Sequence, residues 1–413
     1  MKMRAKKNRY GGWKEQTLLF LVSQSITLLG STVVQMAVIW YATRATSSGR
    51  WVAVFYICSW LPQFFVSFMG GVFADRYDRK KLIIGADTVT ALITFCMAVT
   101  MGMFRQEQDL LAALLIMSLL RSVSAGIQTP AVNAVIPQLV PGENLIRYNG
   151  INAAMQSVVQ FAAPAAAGAV LTGGNLHATL MIDVVTAIVG TLILLCVKIP
   201  VSVRRSPVSG SSVSTIRKSC RLIFQEIGEG FRYVLSCKKL KRFLFFYGMF
   251  TFLCVPSGFM AGLFVNRVYG EAYWYLTAVE AAGFAGMLTG SIFMSIRGSL
   301  AEQKKMLYCG LLMFGITGVA MGMARNFLLY LVLMIGFGVA MTVVQTQVTA
   351  TVQRLSREDM QGRTVGLLSS MYYGAMPLGM AVFGPMADRF PIQGIMIGAG
   401  IAVICCGLVL IRK

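Results

Sequence analysis

The stretch GGVFADRYDRKK, from Gly70 to Lys81, sets six charged residues in a short turn between two long apolar segments. A soluble fold has no reason to space charges this way, whereas two membrane helices joined by a basic cytoplasmic loop account for it. Working outward, apolar runs near the roughly 20 residues that a bilayer-spanning helix needs recur along the chain. Hydrophobic residues make up 56% of it, charged residues 13%, and the mean hydropathy is +0.68. That is more apolar surface than one soluble core absorbs, so an all-α polytopic membrane protein is expected.

Twelve transmembrane helices are read from the runs, at about 17–43, 51–74, 82–104, 110–132, 150–172, 179–197, 243–265, 275–296, 306–323, 327–350, 364–386 and 392–411. An even number places both termini on one side. Of the 37 Lys and Arg residues, 30 fall in or beside alternate loops counted from the N-terminus, 6 in the remaining loops, and Arg121 inside a span. Positive charge stays inside, so both termini are expected in the cytoplasm. The net charge of +21 then follows topology, and anionic inner-leaflet lipid rather than nucleic acid is the expected partner. The basic start MKMRAKKNR is read as an orienting flank, not a cleaved leader. Nine scattered cysteines without a CxxC spacing point to neither a disulfide framework nor a metal site, and no cofactor is expected.

The longest polar stretch, about 198–242, begins with the linker SPVSGSSVS at Ser206–Ser214. Ile216, Ile223, Ile227 and Phe231 then recur near helical spacing among basic residues, as in a helix lying on the inner membrane surface. Three parts follow: a six-helix bundle over 1–197, the cytoplasmic linker over 198–242, and a second six-helix bundle over 243–413. A faint internal repeat supports two related halves. VNAVIPQLVPGENLIRYNG from Val132 and VTATVQRLSREDMQGRTVG from Val348 share Val132/Val348, Ala134/Ala350, Leu139/Leu355, Arg147/Arg363 and Gly150/Gly366, and both follow the fourth span of their half.

With these features the chain resembles the major facilitator superfamily, and within it the macrolide-efflux-type drug exporters. The resemblance rests on the twelve spans, the loop from Gly71 to Lys81, the string RSVSAGIQTPAVNAVIPQLVP and the string QGRTVGLLSSMYYGAMPLGM. It departs at Asp78, where the loop motif usually has a second glycine. The fifth-helix packing motif is reduced to Pro164 and Gly168, with Ala163 and Ala167 beside them. The resemblance implies two pseudo-symmetric six-helix bundles of the major facilitator fold. It further implies an inner gate in which Gly71, Asp75, Arg76 and Arg79 close the cytoplasmic side, with Lys80 and Lys81 serving as topology anchors.

Arg121 is the one Lys or Arg deep inside a span, where a bare charge costs about 2.5–3.5 kcal/mol on insertion scales, so it requires a partner. Ser118, Ser124 and Gln128 share its helix face. The resemblance implies a fourth-helix arginine linked to proton transfer. The acids within spans are Glu280, Asp87 and Asp183. Burial favours the neutral form of a carboxyl, so such groups can alternate in charge. Glu280 is the first choice for the coupling proton. Asp87 is placed against the basic inner loop, and Asp183 near the outer end of its helix. Polar stripes of Gln24, Thr27, Ser31 and Gln35, and of Thr342, Gln345 and Thr349, are read as lining a substrate cavity, together with Gln128 and Tyr373. Interhelical hydrogen bonding is the alternative reading of such stripes.

These features describe a monomeric secondary transporter of a bacterial inner or plasma membrane. It would export a bulky, largely apolar, macrolide-like compound against proton influx by alternating access. Export of a siderophore or other metabolite is the nearest alternative, and a non-transporting sensor or lipid-surface protein the alternative from another class. With one histidine, His177, and dispersed acids, an enzyme is not expected. The topology has a direct check in a background without native cysteines. Cysteines placed at Ser211 and Lys304 should react with an impermeant thiol reagent only after the membrane is opened, whereas labelling of both in intact cells would invert the assignment.

Overall fold

The computed structural model describes residues 12–141, 144–173, 175–199, 232–234, 236–297, 303–356 and 361–411. The amphipathic run read over Ile216–Phe231 and the Ser206–Ser214 linker lie outside them. Every regular element among the described residues is helical, as hydrocarbon requires of a chain whose backbone must satisfy its own hydrogen bonds. The first half supplies α1 (Trp13–Thr46), α2 (Gly49–Arg76), α3 (Arg79–Thr100), α4 (Glu107–Leu139), α5 (Leu145–Gly173) and α6 (Leu176–Cys196). The second supplies α7 (Lys238–Leu253), α8 (Ala261–Val268), α9 (Tyr273–Arg297), α10 (Gln303–Met323), α11 (Phe327–Leu355), α12 (Gln361–Arg389) and α13 (Ile392–Ile411). Eight of these helices are long and apolar enough to cross a membrane.

The seventh expected span is broken into α7 and α8. Pro256 lacks the N–H that a continuing helix requires, and the chain makes successive turns over 254–260 before helix resumes at Ala261. Polar residues mark other ends. Asp78, the departure from the family loop, N-caps α3 by accepting from the backbone of Lys80 and Lys81 at 2.9 and 3.3 Å. Asn175 and Asn326 cap α6 and α11 in the same manner, at 3.0 and 2.8 Å.

By packing, the chain forms two compact units. One comprises residues 1–38 and 58–223, the other 39–57 and 224–413. The segment 39–57, the end of α1 and the start of α2, thus packs with the second unit. Within that unit Asp388, in the last turn of α12, closes the N-terminus of α2. Its carboxylate accepts from the backbone of Gly49 at 2.6 Å, the backbone of Arg50 at 3.0 Å and the Ser48 hydroxyl at 2.8 Å. Arg267 donates to Asp388 at 2.9 Å and to the Ser47 carbonyl at 2.9 Å. Ser47 sits at φ 47°, an unfavourable angle for a residue with a side chain, held by this clasp and by Asn266, which donates to its hydroxyl at 2.9 Å. Burial opposes charge on Asp388, but the donors from Gly49, Arg50, Ser48 and Arg267 outweigh it and hold the carboxyl below its usual range. The stabilisation is therefore complete above the ordinary carboxylate value of about 4 and is lost only as pH falls through the lower folded value.

Small residues set the closest helix approaches. A Cβ on Gly286 of α9 would overlap the Ile335 carbonyl of α11, and one on Gly338 of α11 would overlap the Gly283 carbonyl of α9. In the first unit, Cβ atoms on Gly30 and Gly190 would overlap the hydroxyls of Thr186 and Thr27, which locks α1 to α6. Gly338→Ala should therefore cost about 1–3 kcal/mol and broaden the gel-filtration profile in detergent. Gly398→Ala, whose Cβ meets nothing within 4 Å, should leave the melting temperature unchanged or raise it.

Candidate functional site

Four helices of the first unit converge on Arg121. It is 9% exposed, and its guanidinium meets Asp183 of α6, Thr94 of α3 and Ser31 of α1. Asp183 is 1% exposed; it pairs with Arg121, accepts from the Thr94 hydroxyl at 2.9 Å and from the Ser31 hydroxyl at 3.4 Å. Arg121 keeps its charge under all working conditions, and Asp183 supplies the neutralising carboxylate that hydrocarbon demands.

A second pair lies next to it. Asp87 precedes Thr94 by seven residues on α3 and Gln128 follows Arg121 by seven on α4, so the same two helices meet again two turns closer to the α2–α3 loop. Gln128 donates to Asp87 Oδ1 at 2.5 Å, and Asp87 is 2% exposed. Its Oδ2 is buried with no donor among the described residues. An ionised carboxylate with one oxygen unsatisfied in an apolar interior carries a penalty that protonation removes.

The structure revises several sequence expectations. Asp183, expected near the outer end of its helix, lies two turns inside α6 and is the counter-ion of Arg121. Asp87 pairs with Gln128 rather than with the basic loop. The polar face read on α4 is divided, because Ser118 bonds back to the Leu114 carbonyl at 2.9 Å and Ser124 to the Ala86 carbonyl at 2.8 Å. Ser31 belongs to the arginine cluster, and Thr27 bonds back to the Ser23 carbonyl at 3.1 Å beneath Gly190. Thr349 bonds back to the Gln345 carbonyl at 2.9 Å. Gln24, Gln35 and Gln345 are half-buried. The side chain of Tyr373 lies outside the described residues. Pro164 and Gly168 are both buried on α5.

At the α2–α3 loop, Asp75 and Arg76 lie in the last turn of α2, and their side chains are outside the described residues. Arg79 donates to the Ala74 carbonyl at 2.8 Å and to the Ala134 carbonyl of α4 at 2.6 Å, which ties the loop to α4. Gly70, not Gly71, is the glycine in close contact: a Cβ there would overlap the Gly126 carbonyl, whereas Gly71 faces open space. Lys80 is more than an anchor. Its ammonium donates to the Leu195 and Val197 carbonyls at 2.8 and 2.7 Å and so closes the C-terminus of α6.

In the second unit Glu280 lies on α9 with no cation within ion-pair distance among the described residues. Arg121 and Glu280 thus occupy different units. Thr94 and the Asp388 clasp were not read from the sequence; nothing in the local pattern around either sets it apart.

A profile of the Major Facilitator Superfamily matches residues 19–380. The chain belongs to that superfamily. It is 26% identical over 403 residues to Macrolide efflux protein A of Streptococcus pyogenes, a match covering 97% of this chain and 96% of that protein. It is 21% identical over 403 residues to the multidrug efflux pump Tap of Mycobacterium tuberculosis, covering 95% and 92%. Among solved structures, the nucleoside transporter NupG superposes with a TM-score of 0.70 at 14% identity, covering 97% and 100%. A bacterial homologue of the iron transporter ferroportin superposes with a TM-score of 0.68 at 16% identity, covering 96% and 98%. The fold is that of a major facilitator transporter, and the chain is a multi-pass membrane transporter rather than an enzyme.

The arginine cluster predicts strong coupling between its charged members. Asp183→Asn strands a buried cation and should cost about 3–5 kcal/mol, seen as a large drop in melting temperature and yield. The double variant Arg121→Met, Asp183→Leu should be more stable than either single variant, as a thermal-shift double-mutant cycle would reveal.

Proposed function

We propose that this transporter exports a bulky, largely apolar compound of macrolide-like character, driven by proton influx through alternating access. The full-length likeness to macrolide and multidrug efflux proteins supports the substrate class. The observation that carries the coupling is the orphaned oxygen of Asp87 beside the Arg121–Asp183 pair. With both acids ionised and Arg121 protonated, the cluster holds one net negative charge, and a proton on Asp87 brings it to neutrality. A neutral cluster costs less to sequester from water than a charged one, so protonation biases one conformation of the helices that carry it. Asp87 is placed here ahead of Glu280 because Arg121 is committed to Asp183 within the same unit as Asp87. In this reading Ser31 and Thr94 position the ion pair, and Gln128 reports the protonation state of Asp87 to α4.

The loop residues Asp75, Arg76 and Arg79 form the inner gate in this reading. The Arg79 bonds to Ala74 and Ala134 support it by fixing the end of α2 to α4. Cargo, protons and lipid are then the partners of a monomer in a bacterial cytoplasmic membrane.

Reconstituted protein given a pH step tests the coupling. Asp87→Asn fixes the neutral state and should abolish uphill accumulation of a macrolide while leaving downhill exchange within about threefold of the unmodified protein. Uphill transport of normal extent by Asp87→Asn would remove the proton from this site.

A further inference from the structure

We propose that the start of α7, together with α10 and α11, forms a site for an anionic phospholipid, with the phosphate on Lys239 and Arg242 and one acyl chain in the cleft beside them. The inference goes beyond the export reading and does not depend on it, since it concerns the surrounding lipid and not the cargo.

Phe243, Phe246, Tyr247 and Phe250 recur at helical spacing along one face of α7 and line a cleft with Leu307 and Leu311 of α10 and Val344 and Val348 of α11. The cleft holds about 270 Å³ of empty space and follows α7 for two turns, about 10 Å. Its walls are aromatic and aliphatic. Behind Phe250 the rings continue into the interior, with Phe314 at 4.9 Å and Phe337 a further 4.4 Å from Phe314. Toward the start of α7 the walls loosen: Phe243 and Phe246 are half-buried, whereas Tyr247 and Phe250 are buried. A narrow apolar cleft that is shut by rings at one end and reached from the helix start at the other has the form of a hydrocarbon chain.

The same face of α7 continues outward as cations. Lys239 and Arg242 precede Phe246 by seven and four residues, and the Arg242 guanidinium lies 5.7 Å from the Phe246 ring centroid, beside the cleft. Both belong to the run KKLKR at Lys238–Arg242, which puts four cations in the first five residues of the helix. Lys238, Lys239 and Lys241 are exposed and Arg242 is half-buried. Cations at a helix N-terminus oppose its dipole, and those three or four residues apart repel one another. No side chain caps this end, in contrast to Asp78, Asn175 and Asn326 on α3, α6 and α11. An anion at the start of α7 offsets both effects and can accept from its first-turn N–H groups. The start of α7 follows the basic linker, on the side that the distribution of Lys and Arg assigns to the anionic inner leaflet. A free phosphate would meet the cations and leave the cleft unused, and a neutral apolar molecule would do the reverse. An anionic phospholipid meets both, because its phosphate and its acyl chain are joined at about the spacing of Arg242 and the cleft.

Thermal-shift titration of the full chain in detergent tests this, with short-chain phosphatidylglycerol, phosphatidylcholine carrying the same chains, and glycerol phosphate as probes. Phosphatidylglycerol should bind about tenfold more tightly than phosphatidylcholine, and glycerol phosphate should give no shift at concentrations where phosphatidylglycerol saturates. The double variant Lys239→Gln, Arg242→Gln should reduce the preference to about twofold or less. Arg105→Gln with Arg325→Gln removes the same charge from exposed residues of other loops and should keep the preference, as should Arg242→Lys. Val348→Met, which fills the cleft, should weaken phosphatidylglycerol by about fivefold. Equal affinity for the two phospholipids overturns the proposal, as does a glycerol phosphate shift that matches phosphatidylglycerol. So does a preference that survives loss of Lys239 and Arg242, or phosphatidylglycerol binding unchanged by Val348→Met. Because the readout is lipid binding to the resting protein, none of these outcomes bears on the export reading.

Discussion

Arg121 cannot give up its proton, and a membrane interior does not tolerate its charge alone. That constraint organises the first unit. It requires an acid on a neighbouring helix, which α6 provides with Asp183. It requires hydroxyls to fill the remaining donor and acceptor positions, which α1 and α3 provide with Ser31 and Thr94. Close approach of α1 to α6 is then needed to bring these groups within reach, and Gly30 and Gly190 allow it. The glycines and the ion pair serve one geometry, since short interhelical distance brings the charges together and the charges hold the distance.

The second unit is organised differently. Its charges lie at helix ends, where Asp388 meets the N-terminus of α2 and Arg267 bridges to the strained Ser47. Its interior is glued by glycine contacts between α9 and α11 and by stacked aromatic rings. Against that apolar background the Tyr330 hydroxyl, Asn266 Oδ1 and Gln347 Oε1 are buried without a hydrogen-bond partner among the described residues.

Hydroxyl stripes were the least faithful guide in the sequence. In a membrane helix a Ser or Thr without another partner bonds back to the carbonyl four residues earlier, as Thr17, Ser25, Thr32 and Thr43 do here. Such residues look identical in sequence to those that line a polar path. Thr27 and Thr349 belong to the former kind, and only Ser31 and Thr94 are drawn into the charged cluster. The distinction depends on whether a charge lies on the next helix.

The hydropathy pattern and the placement of Lys and Arg carried the fold class, because lipid forces long apolar helices and the membrane potential orders basic loops. Pro256 and the polar caps Asp78, Asn175 and Asn326 set local breaks and starts, since missing or supplied hydrogen bonds act within a few residues, although the apolar run over 243–265 passes through Pro256 without showing the break. The isolation of Arg121 in a span announced a buried charge network. The identity of its partner did not follow, because Asp183 lies 62 residues away in the chain and is reached only when α4 and α6 pack side by side. The same holds for Asp388 closing a helix that begins 339 residues earlier. Composition and periodicity are local properties that a sequence displays directly; which charges and hydroxyls face one another is decided by helix contacts, and those exist only in the packed molecule.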